Sequence, residues 1–252
     1  MSVSLSYTAT GEGRPLLLMM GLGADRSAWD RHLRRWSREF RCLAVDNRGA
    51  GASPAPAGPY STAEMADDYA ALLDREGVEQ ADIVGISMGG AIAQEFALRH
   101  PDRVRRIVMV ATWSHSTPYL DAVLDVLAAV RRGLDTAAYV TALQTVIWTP
   151  EAFVRDAEAL AGDRRGPVVV GLDAFDAQVA ACRTHDVRER LAAIEAPVLV
   201  TAGAADRFVP ADLSRELAGA LRRADYEEFA TGHVHHFEEL DRFNDLVVRW
   251  LG

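Results

Sequence analysis

Lysine is absent from this sequence of 252 residues, and all 27 of its basic residues are arginines. A chain without lysine lacks the amine that Schiff-base and pyridoxal chemistry or a P-loop would need. Cysteine is also scarce, since only Cys42 and Cys182 occur and their spacing fits neither a metal site nor a disulfide framework. We therefore expect no metal and no cofactor, with Cys42 a small core residue and Cys182 a free thiol.

Excess positive charge and long apolar runs are missing as well. The formal net charge of −9 at pH 7 disfavours nucleic acid or an anionic membrane as a partner. No apolar run is long enough to span a bilayer, and no apolar targeting segment stands at the N-terminus. We therefore expect a cytoplasmic protein. Its length suits one α/β domain with an insertion.

Ser87 stands at a predicted junction between a strand and a helix. The apolar, β-branched run Asp82–Ile86 predicts a buried parallel strand, and Met88–Arg99 has helical periodicity. Gly85 and Gly89 would let this strand and helix approach closely. Such a turn lifts the serine hydroxyl out of the sheet and points a helix N-terminus at it. The alternative is a glycine-rich turn that only packs the helix on the strand.

A serine nucleophile needs a base, and the base needs an orienting acid. Asp206 follows the predicted strand 196–203, and His233 follows the predicted strand 225–229. Because the carboxyl ends of parallel strands meet at one edge of a sheet, we expect both side chains near Ser87. The alternatives are that Asp206 is a turn residue and that His233 is an ordinary loop histidine. His235 and His236 compete for the role of base, and His233 is preferred because it directly follows Gly232.

Five motifs in chain order resemble those of the α/β-hydrolase family, over nearly the whole sequence. They are Met20-Gly21-Leu22-Gly23, similar to the oxyanion loop; Asp46–Ser53, similar to the D-x-R-G-x-G-x-S turn; the nucleophile elbow Gly85–Gly89; the acid turn Gly203–Pro210; and the histidine loop Gly232, His233 and Glu238. One departure is Met20, where the family commonly has histidine. Because the donor in that loop is a backbone N–H, the oxyanion hole should persist with an altered lining.

The resemblance implies a role for each of these residues. Ser87 would attack a carbonyl carbon, His233 would take its proton, and Asp206 would orient the imidazole. The backbone N–H groups of Leu22 and Met88 would form the oxyanion hole, each worth on the order of 3 kcal/mol. Serine at the elbow disfavours the haloalkane dehalogenase and epoxide hydrolase branches, whose nucleophile is aspartate.

Local patterns also predict several individual elements. Alternation of side chains predicts an edge strand at Val3–Thr8, and Ser61 is predicted to cap a helix at Thr62–Glu76. Further helices are predicted at Pro150–Leu160, Val168–Cys182 and Glu238–Trp250.

The predicted architecture is an α/β-hydrolase fold with a mostly parallel central sheet of about seven to eight strands, flanked by helices. Residues 1–112 and 194–252 would form the core, and residues 113–193 a helical cap over Ser87. The alternative for the insertion is a set of scaffold helices. The pocket beneath the cap would be lined by residues that are mostly apolar: Gly21, Trp29, Trp113, Trp148 and Phe208.

Gln178–Asp186, followed by Pro197–Val200, resembles the junction of cap and core in 3-oxoadipate enol-lactonases and related esterases. This favours a serine esterase or lactonase that acts on a small, mainly apolar substrate through an acyl-serine. Carbon–carbon bond hydrolases and cofactor-free perhydrolases share the same triad. Two further alternatives stay open: a biosynthetic enzyme catalysing acyl transfer, elimination or cyclisation, and a non-catalytic small-molecule receptor. The sequence also leaves open whether the chain is a monomer or a homodimer.

Overall fold

A seven-stranded sheet forms the centre of the protein in the computed structural model, which describes residues 2–252. Its strands are β1 (Tyr7–Thr10), β2 (Arg14–Met19), β3 (Phe40–Val45), β4 (Ala81–Ile86), β5 (Val104–Val110), β6 (Val198–Gly203) and β7 (Ala224–Phe229). They lie in the order β1-β3-β2-β4-β5-β6-β7. Strand β1 runs antiparallel to β3, and the other pairs are parallel. The predicted fold class is confirmed.

Helices connect the strands and supply both outer layers. They are α1 (Asp30–Trp36), α2 (Thr62–Arg75), α3 (Met88–Arg99), α4 (Pro118–Gly133), α5 (Thr136–Ile147), α6 (Pro150–Arg155), α7 (Ala157–Asp163), α8 (Leu172–Thr184), α9 (Ala211–Ala220), α10 (His235–Glu238) and α11 (Leu240–Leu251). Ser61 caps α2 as predicted, because its hydroxyl oxygen accepts from the backbone N–H of Glu64 at 3.2 Å. No helix within residues 2–252 is both long enough and apolar enough to cross a membrane.

Both faces of the sheet are buried between its two edge strands, because successive side chains of β2 to β6 enter different apolar clusters. On β2, Leu17 packs with the cluster that includes α2 and α3, whereas Leu16 and Leu18 pack with the cluster that includes α1 and α11. This alternation explains why the strands read as continuous apolar runs. It also leaves the carboxyl edge of the sheet as the place where loops can carry polar groups.

Helices α4 to α8 lie between β5 and β6, in what we call the inserted segment (residues 113–193). Its last helix, α8, and the residues just before it are held closely against the core. Gly51 N–H donates to the Val169 carbonyl at 2.8 Å, and Tyr60 N–H donates to the Ala177 carbonyl at 3.3 Å. A side chain at Gly49 would lie 2.7 Å from the Ala174 methyl group, so glycine is what allows α8 to approach.

Several predicted boundaries differ from the structure. The edge strand expected at Val3–Thr8 covers Tyr7–Thr10, because Val3 N–H donates to the Asp68 carboxylate rather than to a neighbouring strand. The helix expected at Pro150–Leu160 breaks at Asp156, which has the non-helical angles φ −102° and ψ 18°.

Two other predicted helices also start later than expected. The helix predicted at Val168–Cys182 begins only at Leu172, since Val170 instead bridges to Ala50. The last helix, predicted from Glu238, begins at Leu240 as α11, because Glu239 has non-helical angles and separates it from the short α10.

Candidate active site

Ser87 occupies a strained turn between β4 and α3. Its φ of 54° and ψ of −116° are unusual for a residue with a side chain. The turn is held by the Ser87 N–H, which donates to the Val110 carbonyl at 2.8 Å, and by Thr112 Oγ1, which donates to the Ser87 carbonyl at 2.8 Å. A Cβ at Gly85 on β4 would overlap the Gly89 carbonyl on α3, and a Cβ at Gly89 would overlap the Met19 carbonyl on β2. The close approach expected from the glycines is thus present.

Asp206 and His233 form a buried hydrogen-bonded pair at the same edge of the sheet. His233 Nδ1–H donates to Asp206 Oδ2 at 2.7 Å. The other oxygen, Oδ1, accepts from the backbone N–H groups of Phe208 and Val209 at 2.7 and 2.9 Å. With its carboxylate fixed in this way, Asp206 selects the tautomer that carries its proton on Nδ1. His233 Nε2 is therefore an acceptor.

The Ser87 hydroxyl and His233 Nε2 form no hydrogen bond to each other or to another group within residues 2–252. Both residues are nonetheless buried, with 4% and 5% of their surface exposed. Hydrogen bonds between a nucleophile and its base are often long without substrate and shorten in the complex. Both groups thus remain available to a substrate.

His235 and His236 make other contacts and do not reach Asp206. His235 Nε2 pairs with Thr201 Oγ1 at 2.9 Å. His236 Nδ1 lies 3.1 Å from His32 Nε2, and His32 Nδ1–H donates to Asn244 Oδ1 at 2.7 Å. Burial lowers the pKa of His32 to about 4 and that of His235 to about 3, and it holds the pKa of His236 well below its usual value. These contacts favour His233 as the base.

Glu238 supports the loop that carries His233. Its Oε1 accepts from the backbone N–H groups of Gly232 and Thr149, both at 3.1 Å, and its Oε2 accepts from the Thr149 hydroxyl at 2.5 Å. Thr149 belongs to the inserted segment and caps α6. One buried carboxylate therefore joins the histidine loop to the insertion. The sequence motif marked Glu238, but nothing in it indicated Thr149.

The Met20–Gly23 loop passes beside Ser87. A Cβ added to Gly21 would lie 3.4 Å from the Ser87 Cβ. The N–H groups of Leu22 and Met88 donate to no protein acceptor within the described residues. Both donors are thus unoccupied, as an oxyanion hole requires.

Two buried amide side chains hold the ends of this loop, and neither was identified from the sequence. Asn47 Nδ2 donates to the Met20 carbonyl at 2.8 Å, and its Oδ1 accepts from Tyr69 OH at 2.8 Å. At the other end, Gly23 N–H donates to Gln178 Oε1 at 3.1 Å. Asn47 could have been suspected from its place inside the Asp46–Ser53 turn, whereas the resemblance of Gln178–Asp186 to a junction of cap and core indicated no contact with this loop.

The Asp46–Ser53 turn has a supporting role. The Asp46 carboxylate accepts from the backbone N–H groups of Arg26 and Ala52 at 2.8 and 2.9 Å. Arg48 is buried and forms a bidentate pair with Asp68, at 2.7 and 2.9 Å. This motif fixes the loops around the site and does not reach Ser87 itself.

The predicted pocket residues occupy different surroundings. Gly21 lies beside Ser87, and the Phe208 ring lies 4.8 Å from the His233 ring between centroids. Trp148 stacks on Phe237, next to the histidine loop. Trp29 instead packs against Trp36 and His32 in the core, so its contacts do not support a role in the pocket.

Trp113, another predicted pocket residue, follows β5 and is fully buried.

An apolar groove of about 480 Å³ lies between α4, α5 and Arg207 and is lined by none of the predicted pocket residues. It is lined by Tyr119, Ala122, Val123, Val126, Leu127, Thr145, Val146 and Arg207. Because Arg207 directly follows Asp206, this groove is adjacent to the loop that carries the candidate acid.

Other reactive groups are scarce. Within residues 2–252, no cluster of three or more histidine, cysteine, aspartate or glutamate side chains could hold a metal ion. Cys42 and Cys182 are unpaired and buried, and burial raises the pKa of each thiol to about 12. Neither thiol is a nucleophile at neutral pH.

Comparison with known proteins identifies the family of this chain. A family model described as alpha/beta hydrolase fold matches residues 14–240. A protein from Azorhizobium caulinodans named "Putative carbamate hydrolase RutD" is 31% identical over an alignment of 253 residues, gaps included, that covers 98% of this chain and 95% of that protein. The 3-oxoadipate enol-lactonase 2 of Acinetobacter baylyi is 27% identical over 248 residues, 97% of this chain and 92% of that protein.

A solved structure is similar over the same length. The enol-lactonase from Burkholderia xenovorans LB400 superposes with a TM-score of 0.91 at 30% identity, covering 99% of this chain and 96% of that one. These relatives indicate a hydrolytic enzyme.

Proposed function

Since this chain belongs to the α/β-hydrolase fold family, we propose that it is a serine hydrolase that cleaves a carboxylic ester or lactone through an acyl-serine. The observation that carries the proposal is the buried His233–Asp206 pair, which lies at the same sheet edge as a serine in a strained turn. A strained backbone and an oriented imidazole at one site are features of nucleophilic catalysis.

The proposed reaction has two halves. Ser87 Oγ attacks the carbonyl carbon while its proton moves to His233 Nε2, and the carbonyl oxygen becomes an oxyanion that accepts from Leu22 and Met88 N–H. His233 then gives that proton to the departing alcohol oxygen. In the second half, His233 takes a proton from water, the hydroxide attacks the acyl-serine, and the proton returns to Ser87 as the acid leaves.

The substrate we propose is small and mainly apolar. Aromatic rings lie beside the candidate machinery, with Phe208 against His233 and Phe175 against Gly23. The groove beside Arg207 offers further apolar surface, and Arg207, which donates to the Thr145 carbonyl at 2.8 Å, forms no ion pair within the described residues. An apolar acyl or alcohol part that carries a carboxylate would fit these surroundings.

Carbamate hydrolysis is a second candidate, favoured by the name of the Azorhizobium caulinodans relative. The same residues would act, but the intermediate would be a carbamoyl-serine. Esters and lactones differ from carbamates in that no nitrogen donates electrons to their carbonyl group. Comparing the rate at which the protein hydrolyses esters and lactones with its rate on carbamates therefore separates the two candidate functions.

The test is turnover of 4-nitrophenyl acetate, 4-nitrophenyl butyrate, δ-valerolactone and 4-nitrophenyl carbamate by the wild-type protein, Ser87→Ala and His233→Ala. Ser214→Ala is the matched control, because Ser214 is buried and its hydroxyl donates to the Thr112 carbonyl. We expect ester and lactone turnover that falls by a factor of about 10³ or more in Ser87→Ala and His233→Ala and persists in Ser214→Ala.

The other outcomes distinguish the alternatives. Faster turnover of the carbamate than of the esters would favour carbamate hydrolysis. A Ser87 that reacts with a fluorophosphonate without turning over any substrate would favour a biosynthetic enzyme. Equal turnover in the wild type and Ser87→Ala would disprove the serine mechanism.

A further inference from the structure

The Gln178 amide links the inserted segment to the loop beside Ser87. Its side chain lies on α8 and is fully buried. Oε1 accepts from Gly23 N–H at 3.1 Å, and Nε2 donates to the Arg48 carbonyl at 3.0 Å. An N–H can only donate and a carbonyl can only accept, so the orientation of the amide is fixed by its partners.

The loop that Gln178 contacts has little stiffness of its own. Glycines stand on both sides of Leu22, and Gly23 has a φ of +75°. Glycine leaves the backbone free to rotate, so the direction of the Leu22 N–H depends on what holds the neighbouring peptides. On one side, Asn47 holds the Met20 carbonyl. On the other side, Gln178 holds the Gly23 N–H.

Helix α8 is itself a rigid support for this contact. Its backbone at Ala177 accepts from Tyr60 N–H, and its Phe175 ring packs 3.0 Å from the position a Cβ would take on Gly23. Gln178 is therefore anchored by the core turn and by its own helix before it reaches the loop.

We infer that Gln178 is a positioning residue, which aims the Leu22 N–H at the oxyanion by fixing the peptide that follows it. The inference rests on the proposed function of the site. Through Gln178, the inserted segment then contributes directly to the oxyanion hole. A donor that points elsewhere weakens binding of the transition state more than binding of the substrate.

Gln178→Met tests this inference, since methionine keeps a similar volume and removes both hydrogen bonds. We expect kcat to fall by about 10-fold to 100-fold with KM changed by less than about 3-fold. A trifluoromethyl ketone inhibitor gives a second readout, because its hemiketal with Ser87 puts a charged oxygen in the hole. Its Ki should rise by the same factor by which kcat/KM falls.

Gln144→Met is the matched control. Gln144 is a buried glutamine on α5 that donates to the Leu160 carbonyl and accepts from Arg164, so both its partners lie within the inserted segment. We expect this control to change kcat and the inhibitor Ki by less than about 3-fold, whatever it does to stability. Amide hydrogen exchange of residues 20–24 should accelerate in Gln178→Met and stay unchanged in Gln144→Met.

Different results would overturn the role of Gln178 and the proposed function of the site. Wild-type ester turnover with unchanged kcat, Ki and exchange in Gln178→Met would overturn the role of Gln178 alone. Absence of turnover and of inhibitor binding in the wild type would overturn the proposed function, and with it this role. If Gln178→Met does not fold, Gln178→Asn takes its place in the same measurements. Its side chain is shorter by one methylene group, so the amide oxygen and nitrogen are withdrawn from their partners.

Discussion

At the residue scale, replacing one carboxylate oxygen of Asp206 by an NH₂ group would change its hydrogen bond to His233. Its Oδ1 accepts two backbone N–H bonds, and its Oδ2 accepts from His233. Asparagine at this position would keep the two backbone bonds and turn its NH₂ group toward His233. Because NH₂ can only donate, His233 would have to carry its proton on Nε2.

Asp206→Asn should therefore lower kcat by a factor of about 10³ to 10⁴ while the free energy of unfolding changes little. Asp225→Asn is the control, since Asp225 is exposed and accepts only from Trp250 Nε1. Turnover of 4-nitrophenyl butyrate and urea unfolding of both variants check the prediction. A kcat in Asp206→Asn near that of the wild type would contradict an orienting role.

The residues of the candidate site divide into those that sequence could indicate and those it could not. Ser87, Asp206 and His233 stand at strand ends within short local motifs, so they could be predicted. Asn47 and Gln178 act through hydrogen bonds to residues 27 and 155 positions away. No local pattern encodes such pairs, because an amide side chain is equally suited to a solvated surface.

At the element scale, the contact between β2 and α3 depends on the absence of a side chain at Gly89. An added Cβ would overlap the Met19 carbonyl, which is backbone of the sheet and cannot move aside. Gly219 on α9 is a matched helical glycine, since nothing lies within 4 Å of the position of its Cβ.

Gly89→Ala should therefore lower the free energy of unfolding by about 3 kcal/mol or more, by analogy with overpacked cores. Gly219→Ala should raise it by about 0.5 to 1 kcal/mol through the helix preference of alanine. Urea unfolding of both variants is the measurement. Equal stabilities would show that the strand and helix can separate at little cost.

A second contact between elements joins the inserted segment to the histidine loop. Thr149 caps α6 and also donates to Glu238, whereas Thr117 caps α4 through Leu120 N–H without a carboxylate partner. Thr117→Val should lower the free energy of unfolding by about 1 kcal/mol, the usual value of a cap.

Thr149→Val should lower the free energy of unfolding by roughly 2 to 3 kcal/mol, because it also removes a buried hydrogen bond to a charged group. Urea unfolding of the two threonine variants measures the difference. If the two losses are equal, the Thr149–Glu238 bond contributes nothing to stability.

Elements with strong periodicity could be predicted closely, and elements set by tertiary contacts could not. The helix predicted at Met88–Arg99 has those bounds in the structure. The break at Asp156 was missed because the predicted run Pro150–Leu160 contains no glycine or internal proline to signal it. The antiparallel register of β1 depends on its partner β3, which no single segment reveals.

At the scale of the whole molecule, buried neutral histidines couple stability to pH. Burial lowers the pKa of His32 to about 4 and those of His185 and His235 to about 3, and it holds the pKa of His236 well below its usual value. In the unfolded chain these groups take up protons near pH 6.5. Their contribution to stability is therefore present above pH 6.5 and is lost as pH falls from there toward the folded values.

The free energy of unfolding should accordingly fall between pH 6 and pH 5, by about 1 kcal/mol for each of these histidines. Urea titrations at pH 7, 6 and 5 measure the slope. His185→Gln removes one of these four groups, the ring that contacts Thr62 Oγ1 at 3.0 Å. The free energy of unfolding of this variant should therefore change with pH about a quarter less steeply than that of the wild type. A stability that does not change from pH 7 to pH 5 would contradict burial of these rings.

The most direct test of the proposed mechanism is the intact mass of the protein after treatment with a fluorophosphonate. We expect one phosphonyl adduct on each chain, located on Ser87 by peptide mapping, absent in Ser87→Ala and formed much more slowly in His233→Ala. A folded wild-type protein that gains no adduct, or gains it at another serine, would contradict Ser87 as the nucleophile.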